Sequence, residues 1–212
     1  YRFLMEGTSS AAVTPELALA HADPAASALH VGTLGLVLEP VADAVVALVA
    51  AASDDQLVMV DPNCRPSVMT GSAVFADTLA AVLPRADLVK VSGDDLAFLF
   101  PGQEPLAAAT ELQESSGSVV LFTDGADAVH VLAAGVDVVV DVPAVRVVDT
   151  VGAGDSFSGG VLAWWQRAGR GRADVADIDT VVEAVRFGVQ VAGLTCQRAG
   201  ANPPFAQEVG WA

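Results

Sequence analysis

The run Leu-Val-Met-Val-Asp at 57–61 constrains this chain most. It is apolar without a polar alternation and too short for a buried helix, so it reads as a strand covered on both faces. A strand of that kind needs helices above and below it, and the surrounding sequence supplies them. Thr14-Pro15-Glu16 gives an N-cap, a proline at the first helical position and an acid in the first turn, which predicts a short helix over 15–20. Further helices are expected at 40–52, where the sequence is Ala-rich, and at 72–83, 105–114, 153–168 and 178–194, with a turn or short helix over 93–100. Strands are expected at 29–33, 88–91, 119–123, 128–133 and 136–140, the last two joined as a hairpin through Ala134-Gly135. This alternation argues for an α/β fold, a mostly parallel sheet with helices on both faces. Ligands of such sheets bind outside the carboxyl ends of the strands, here after Thr33, Asp61, Val91 and Thr123 and at the turn before Ala153. No internal repeat is visible, and the nearest thing to a linker is the Gly- and charge-rich break Ala168–Asp177.

Composition narrows the partners. The chain has 212 residues, 53 % of them apolar, which excludes a disordered chain and suffices for one α/β domain or two small ones. A net charge of −16 sets nucleic acid and anionic membranes at a disadvantage, although backbone N–H groups can still make a local anion site. No apolar stretch reaches the ~18 residues of a membrane span. The opening YRFLMEGTSS lacks an apolar segment after a basic one and does not read as a signal peptide. Cys64 and Cys196 lie far apart, outside any Cys/His cluster, so neither a disulfide framework nor a zinc site is expected and a cytoplasmic location fits best.

The chemistry concentrates in Val147–Gly160, VVDTVGAGDSFSGG. An apolar strand-like run enters Asp-Thr, then Gly-Ala-Gly-Asp, then an apolar helix. Gly152 and Gly154 let the backbone turn tightly and a ligand come close. The N–H groups that follow open a helix, point outward unpaired and carry the positive end of its dipole, which suits a negative charge developing on a transferred phosphoryl group. Asp155 stands in that turn as a carboxylate able to take a hydroxyl proton. The plainer alternative is a Gly-rich helix start with Asp155 as an N-terminal acid. Neither GxxxxGK[ST] nor a helix-opening GxGxxG occurs in the chain.

The string DTxGAGDxFxGG resembles the signature of the ribokinase-type carbohydrate kinases, the PfkB family. Four other segments match in order, YRFLMEGTSS, HVGTLGLVLEP, VMVDPNCRPSV and ADLVKVSGDDLAFL, and the end, GLTCQRAGANPP, matches the family's closing turn. The resemblance covers essentially the whole chain and is greatest for the fructokinase-like branch. It implies a ribokinase-like fold with a remnant of a small β lid over 1–12 and a nucleotide- and sugar-binding domain over 13–212. It also implies ATP-dependent phosphorylation of a sugar hydroxyl, with fructose the first guess; the alternatives are a kinase for another sugar, a sugar acid or a nucleoside, and a non-catalytic nucleotide- or sugar-binding pseudokinase. Asp155 would be the base, and the amides of Gly152, Ala153 and Gly154 the anion hole. Arg65 would lie near the sugar or the transferred phosphate. Ser92 and Asp95 would lie toward the nucleotide phosphates and the Mg²⁺ water shell, and Thr123 and Gly125 would border ATP. Asp149, Val151 and carbonyls around Cys196–Gly200 would surround a monovalent cation, usually K⁺. Family members often form homodimers through the lid. They are also longer, so the resemblance implies that the N-terminal third is missing and that Tyr1–Met5 is a lid strand without its partners.

The chain departs from the family pattern at three positions. Asp95 stands in place of Glu, one methylene shorter; Val151 replaces a Thr; and Ala128 occupies the second Gly position of T-x-G-x-x-G, where it would crowd a nucleotide. Other residues carry plainer readings beside these. Arg65 would pair with Asp61 at the surface, Asp94 and Asp95 would form a solvated helix start, and Lys90 would be a strand-end charge. His21, His30 and His130 are expected to be structural or solvent-facing, and Trp164 and Trp165 to pack on the next helix. Nothing marks Cys64 as a nucleophile.

Overall fold

A computed structural model describes residues 8–211. The strands are β1 (Ala28–Gly32), β2 (Leu57–Asp61), β3 (Leu88–Ser92), β4 (Val119–Thr123), β5 (Ala128–Ala133) and β6 (Val136–Asp141). The helices are α1 (Pro15–His21), α2 (Val41–Ala51), α3 (Pro66–Met69), α4 (Ala73–Val82), α5 (Gly93–Leu99), α6 (Pro105–Ser116), α7 (Ala153–Arg167) and α8 (Ile178–Cys196). The six strands form one sheet in chain order; β1 to β4 run parallel and β5 and β6 antiparallel. The expected elements are all present, with bounds shifted by a residue or two. Helix α1 runs on to His21, and the short helix α3 was not expected. The lid strand expected over Tyr1–Met5 lies outside the described residues, and Ser9–Ala12, within the same expected remnant, is a 3-10 turn.

Strand alternation sorts the core into two layers. Val58, Val60, Val89, Val91, Val120 and Phe122 pack with α2, α4, α5 and α6 on one face. Leu57, Met59, Leu88 and Leu121 pack with Phe157, Val161 and Trp165 of α7 and with α8 on the other. The period of two therefore sends Asp61 and Lys90 to the α7 face, amid apolar side chains. Helices α7 and α8 cross where each is smallest: a β-carbon at Gly160 would come within 2.9 Å of Gly188 Cα. Trp165 is 2 % exposed beside α8, in keeping with its expected packing role. The break at 168–177 is fastened to the sheet, since Arg172 Nε donates to Asp87 at 2.7 Å and Trp165 Nε1 to the Gly171 carbonyl at 3.2 Å.

The parallel register brings the strand ends to one edge, with Gly32 beside Asp61 and Ser92 beside Thr123. The backbone is strained there. Thr33 and Asn63, the first and second residues after β1 and β2, have φ of +50° and +40°, and Asn63 Nδ2 donates to Thr33 Oγ1 at 3.0 Å. A β-branched residue at positive φ persists only where its surroundings over-determine it, as they do along functional edges.

Candidate active site

The turn that opens α7 is held from both sides. Asp149 Oδ1 accepts the Val151 N–H at 3.0 Å and Oδ2 accepts the Gly200 N–H at 2.8 Å. These bonds hold the Asp149 carboxyl below the usual aspartate range. The Cys196 carbonyl takes two N–H groups, Val148 at 2.8 Å and Asp149 at 3.2 Å. Gly152 has φ +78°, and a β-carbon on it would lie 2.7 Å from Ala201 Cβ, so both the conformation and the close approach require glycine.

Inside the turn the donors divide. Ala153 N–H bonds the Thr150 carbonyl at 3.2 Å, and Ser156 N–H bonds the Gly152 carbonyl at 2.8 Å. The N–H groups of Gly154 and Asp155 find no acceptor among the described residues. Of the expected anion-hole donors, Gly152 and Gly154 are open among the described residues and Ala153 is spent on the turn itself; Asp155 adds a further open N–H. The Asp155 side chain is exposed in the first turn of α7. It lines a groove of about 530 Å³ with Gly152, Ser156, Gly159, Ala201 and Pro203.

Beneath this turn lies a buried ion pair. Lys90 Nζ stands 3.3 Å from Asp61 Oδ2, both side chains being 6 % exposed or less. Burial pushes the Asp61 carboxyl up, and the Lys90 charge opposes that shift. Asp61 Oδ1 is buried without a hydrogen-bond partner among the described residues. Lys90 is therefore an interior cation facing the site, not the strand-end charge that sequence suggests. His30 keeps an exposed face, yet crowding by protein is the larger influence on its pKa and lowers it, while Asp61 and Asp155 act the other way. His130, another of the three histidines expected to be structural or solvent-facing, pairs with Asp137 at 3.0 Å and stacks on Phe122.

Arg65 does not pair with Asp61. Its Nη1 donates to the Cys64 carbonyl at 3.0 Å and the Asn63 carbonyl at 3.3 Å, holding the guanidinium against the loop after β2. Ser92 and Asp95, expected toward the nucleotide phosphates and a Mg²⁺ water shell, are bonded to each other and to the loop after β2. Asp95 is 2 % exposed; its Oδ1 accepts the Cys64 N–H at 2.6 Å, and its Oδ2 accepts the Ser92 N–H at 2.8 Å and the Ser92 hydroxyl at 2.6 Å. That carboxylate is a brace between two loops, and the solvated helix start read for Asp94-Asp95 does not hold for it. Cys64 is buried, and burial with the nearby Asp95 charge pushes its thiol far up, out of the nucleophilic range. Thr123 Oγ1 donates to the Val91 carbonyl at 3.3 Å, and Gly125 sits at φ +59° in the exposed turn that ends at Ala128, the first residue of β5.

A pocket of about 440 Å³ that sequence reasoning missed lies between β6 and α8, lined by Val139, Pro143, Val145 and Leu194 and also by the charged Asp141 and Arg186. It adjoins the 145–149 segment that leads into the turn. Only the packing of two distant segments creates it, so no local motif announces it. Among the described residues no three His, Cys, Asp or Glu side chains cluster to hold a metal. Asp149, Val151, Cys196 and Gly200 come together as expected, but as cross-ties. Two N–H groups fill the Cys196 carbonyl, while each Asp149 oxygen keeps a lone pair beyond the one N–H it accepts, which fits a monovalent cation such as K⁺. The unspent amides of Gly154 and Asp155 above a buried ammonium do fit an anion such as a nucleotide phosphate.

Comparison with known proteins agrees with that chemistry. A sequence model described as "pfkB family carbohydrate kinase" matches residues 2–208. A fructokinase of Rhizobium leguminosarum bv. trifolii is 29 % identical over 167 residues, 77 % of this chain and 50 % of its own length. The probable chloroplastic fructokinase-6 of Arabidopsis thaliana is 26 % identical over 181 residues, 84 % of this chain and 46 % of its own length. The chain thus spans about half the length of these curated relatives. The crystal structure of Vibrio cholerae O395 fructokinase with fructose, ADP and calcium bound superposes with a TM-score of 0.73 at 27 % identity, over 82 % of this chain and 56 % of that one. Aminoimidazole riboside kinase of Salmonella enterica reaches 0.80 at 23 % identity over 99 % of this chain and 69 % of its own, a likeness of fold. Among the described residues no helix is long and apolar enough to cross a membrane.

Proposed function

The chain belongs to the pfkB family of carbohydrate kinases, and from that premise we propose that it takes part in transfer of the γ-phosphoryl group of ATP to a sugar hydroxyl, with fructose the first acceptor to test. The observation that carries the reading is the α7 turn. Two unspent amides, Gly154 and Asp155, stand beside an exposed carboxylate, Asp155, at the carboxyl edge of a parallel sheet.

In this reading Asp155 accepts the proton of the acceptor hydroxyl as its oxygen bonds to the γ-phosphorus. The bond from that phosphorus to the bridging oxygen breaks, and ADP leaves with the electron pair. The Gly154 and Asp155 amides meet charge on the transferred group's oxygens. The slot between β6 and α8 suits a nucleotide base, and the 145–149 segment leads from it to the turn. Thr123 and Gly125, across the edge, would border the nucleotide, and Arg65 the acceptor. Mg²⁺, when bound, would neutralise charge on the phosphates, with Ser92 and Asp95 toward its water shell as the family resemblance implies. A cytoplasmic location and a homodimer belong to the same proposal, through the family resemblance.

The test is ADP release by the protein expressed from its complete gene, with Mg²⁺-ATP, across fructose, other sugars, sugar acids and nucleosides. Release that depends on one acceptor and falls at least a hundredfold in Asp155→Asn supports the reading. ATP binding without turnover, alike in both forms, would replace it with a nucleotide-binding pseudokinase.

A further inference from the structure

The Lys90–Asp61 pair is not explained as packing. A buried ion pair contributes little net stability, and apolar residues of similar volume commonly do as well or better. Asp61 is also poorly served, since its Oδ1 is buried without a partner among the described residues. What distinguishes the pair is its orientation. A β-carbon at Gly154 would meet Lys90 Nζ at 3.1 Å and Cε at 3.8 Å, and no atom of Asp61 within 4 Å. The pair is thus a dipole whose positive end abuts the first turn of α7 and whose negative end points away. It adds to the partial positive charge that the unpaired amides already carry there. Buried and held by Asp61, such a charge acts on a phosphoryl group without having to reorganise.

We propose that Lys90 is a positioning residue for phosphoryl transfer: held by Asp61 beneath Gly154, its ammonium raises the affinity of the α7 turn for the γ-phosphate. The proposal rests on the kinase reading above. It also explains Gly154 by its neighbour, because a side chain there would displace the ammonium.

The test removes both charges together in Lys90→Met/Asp61→Asn, so that neither is left buried alone, and measures ATP and ADP binding by calorimetry beside turnover. The expected result is a folded protein in which kcat falls about tenfold to a hundredfold. ATP affinity falls by a similar factor, while ADP affinity and acceptor KM stay as in the unmodified protein. A folded double variant that keeps its preference for ATP over ADP and its kcat would overturn the proposal. Should the double variant not fold, Gly154→Ala provides the second reading. It should weaken ATP but not ADP binding, and an unchanged ratio there also overturns the proposal. If the unmodified protein neither binds ATP nor releases ADP, the kinase reading has failed instead, an outcome distinct from loss confined to the variants.

Discussion

Asp149 and Gly200 lie 51 positions apart in the chain and meet at 2.8 Å, the carboxylate accepting the glycine N–H while its other oxygen holds Val151. One side chain thus ties the entry of the phosphate turn to the closing segment of the chain. An amide has only one acceptor oxygen, so Asp149→Asn keeps at most one of these bonds. The expected outcome is a raised KM for ATP with a smaller change in kcat. The sign of the pH dependence follows from the lowered pKa. Both ties are present above the ordinary aspartate value of about 3.9 and are lost as pH falls through the lower folded value. Acid unfolding followed by circular dichroism should show Asp149→Asn losing less stability than the unmodified protein between about pH 5 and pH 2.

Gly152 sits against Ala201, and two separate penalties fall on any replacement. Gly152→Ala places a residue with a β-carbon at φ +78°, worth about 1–2 kcal/mol, and drives that carbon to 2.7 Å from Ala201 Cβ. Adding Ala201→Gly removes the clash and leaves the backbone penalty. Urea unfolding should therefore show partial recovery in the double variant. Turnover, which depends on the shape of the turn, should recover less than stability does.

The sequence carried what is local. Thr14 caps α1 by accepting the Leu17 N–H at 3.3 Å, and Leu57–Asp61 is buried on both faces. The GAGD turn is written in contiguous residues and is found where they place it. What escaped depends on register and on distant pairs. Lys90 looks like a strand-end charge until the parallel pairing of β2 and β3 sets it against Asp61 on the α7 face. Arg65 looked like the natural partner of Asp61, four residues away, but the loop after β2 turns its guanidinium onto carbonyls. The slot between β6 and α8 belongs to no motif at all.

Glu is the family's usual residue at position 95, yet Asp95→Glu is expected to destabilise this chain. The carboxylate is 2 % exposed and meets Cys64 and Ser92 at 2.6–2.8 Å, so an added methylene has to be accommodated by moving one of two loops. Overpacking of this kind costs about 1–3 kcal/mol. Asp95→Asn leaves a buried N–H or hydroxyl without its acceptor, at about 1–3 kcal/mol. Thermal unfolding of both variants checks this. Wild-type stability in Asp95→Glu would mean that the loops yield and the longer acid can turn outward.

Helices α7 and α8 meet through glycines, and that contact tests whether the site depends on the seating of α7. A β-carbon at Gly188 would lie 2.8 Å from Val161 Cγ2 and 2.9 Å from the Phe157 carbonyl, so Gly188→Ala forces the helices apart. The substitution lies about two turns along α8 from the Cys196 carbonyl and touches no residue of the phosphate turn. A shift of α7 away from the sheet also moves Gly154 away from Lys90. Gly188→Ala should therefore cost about 1–3 kcal/mol in urea unfolding, and should weaken ATP binding more than ADP binding in calorimetry. Equal weakening of both nucleotides would mean that α7 moves as a rigid unit with the sheet beneath it, leaving the ammonium in place.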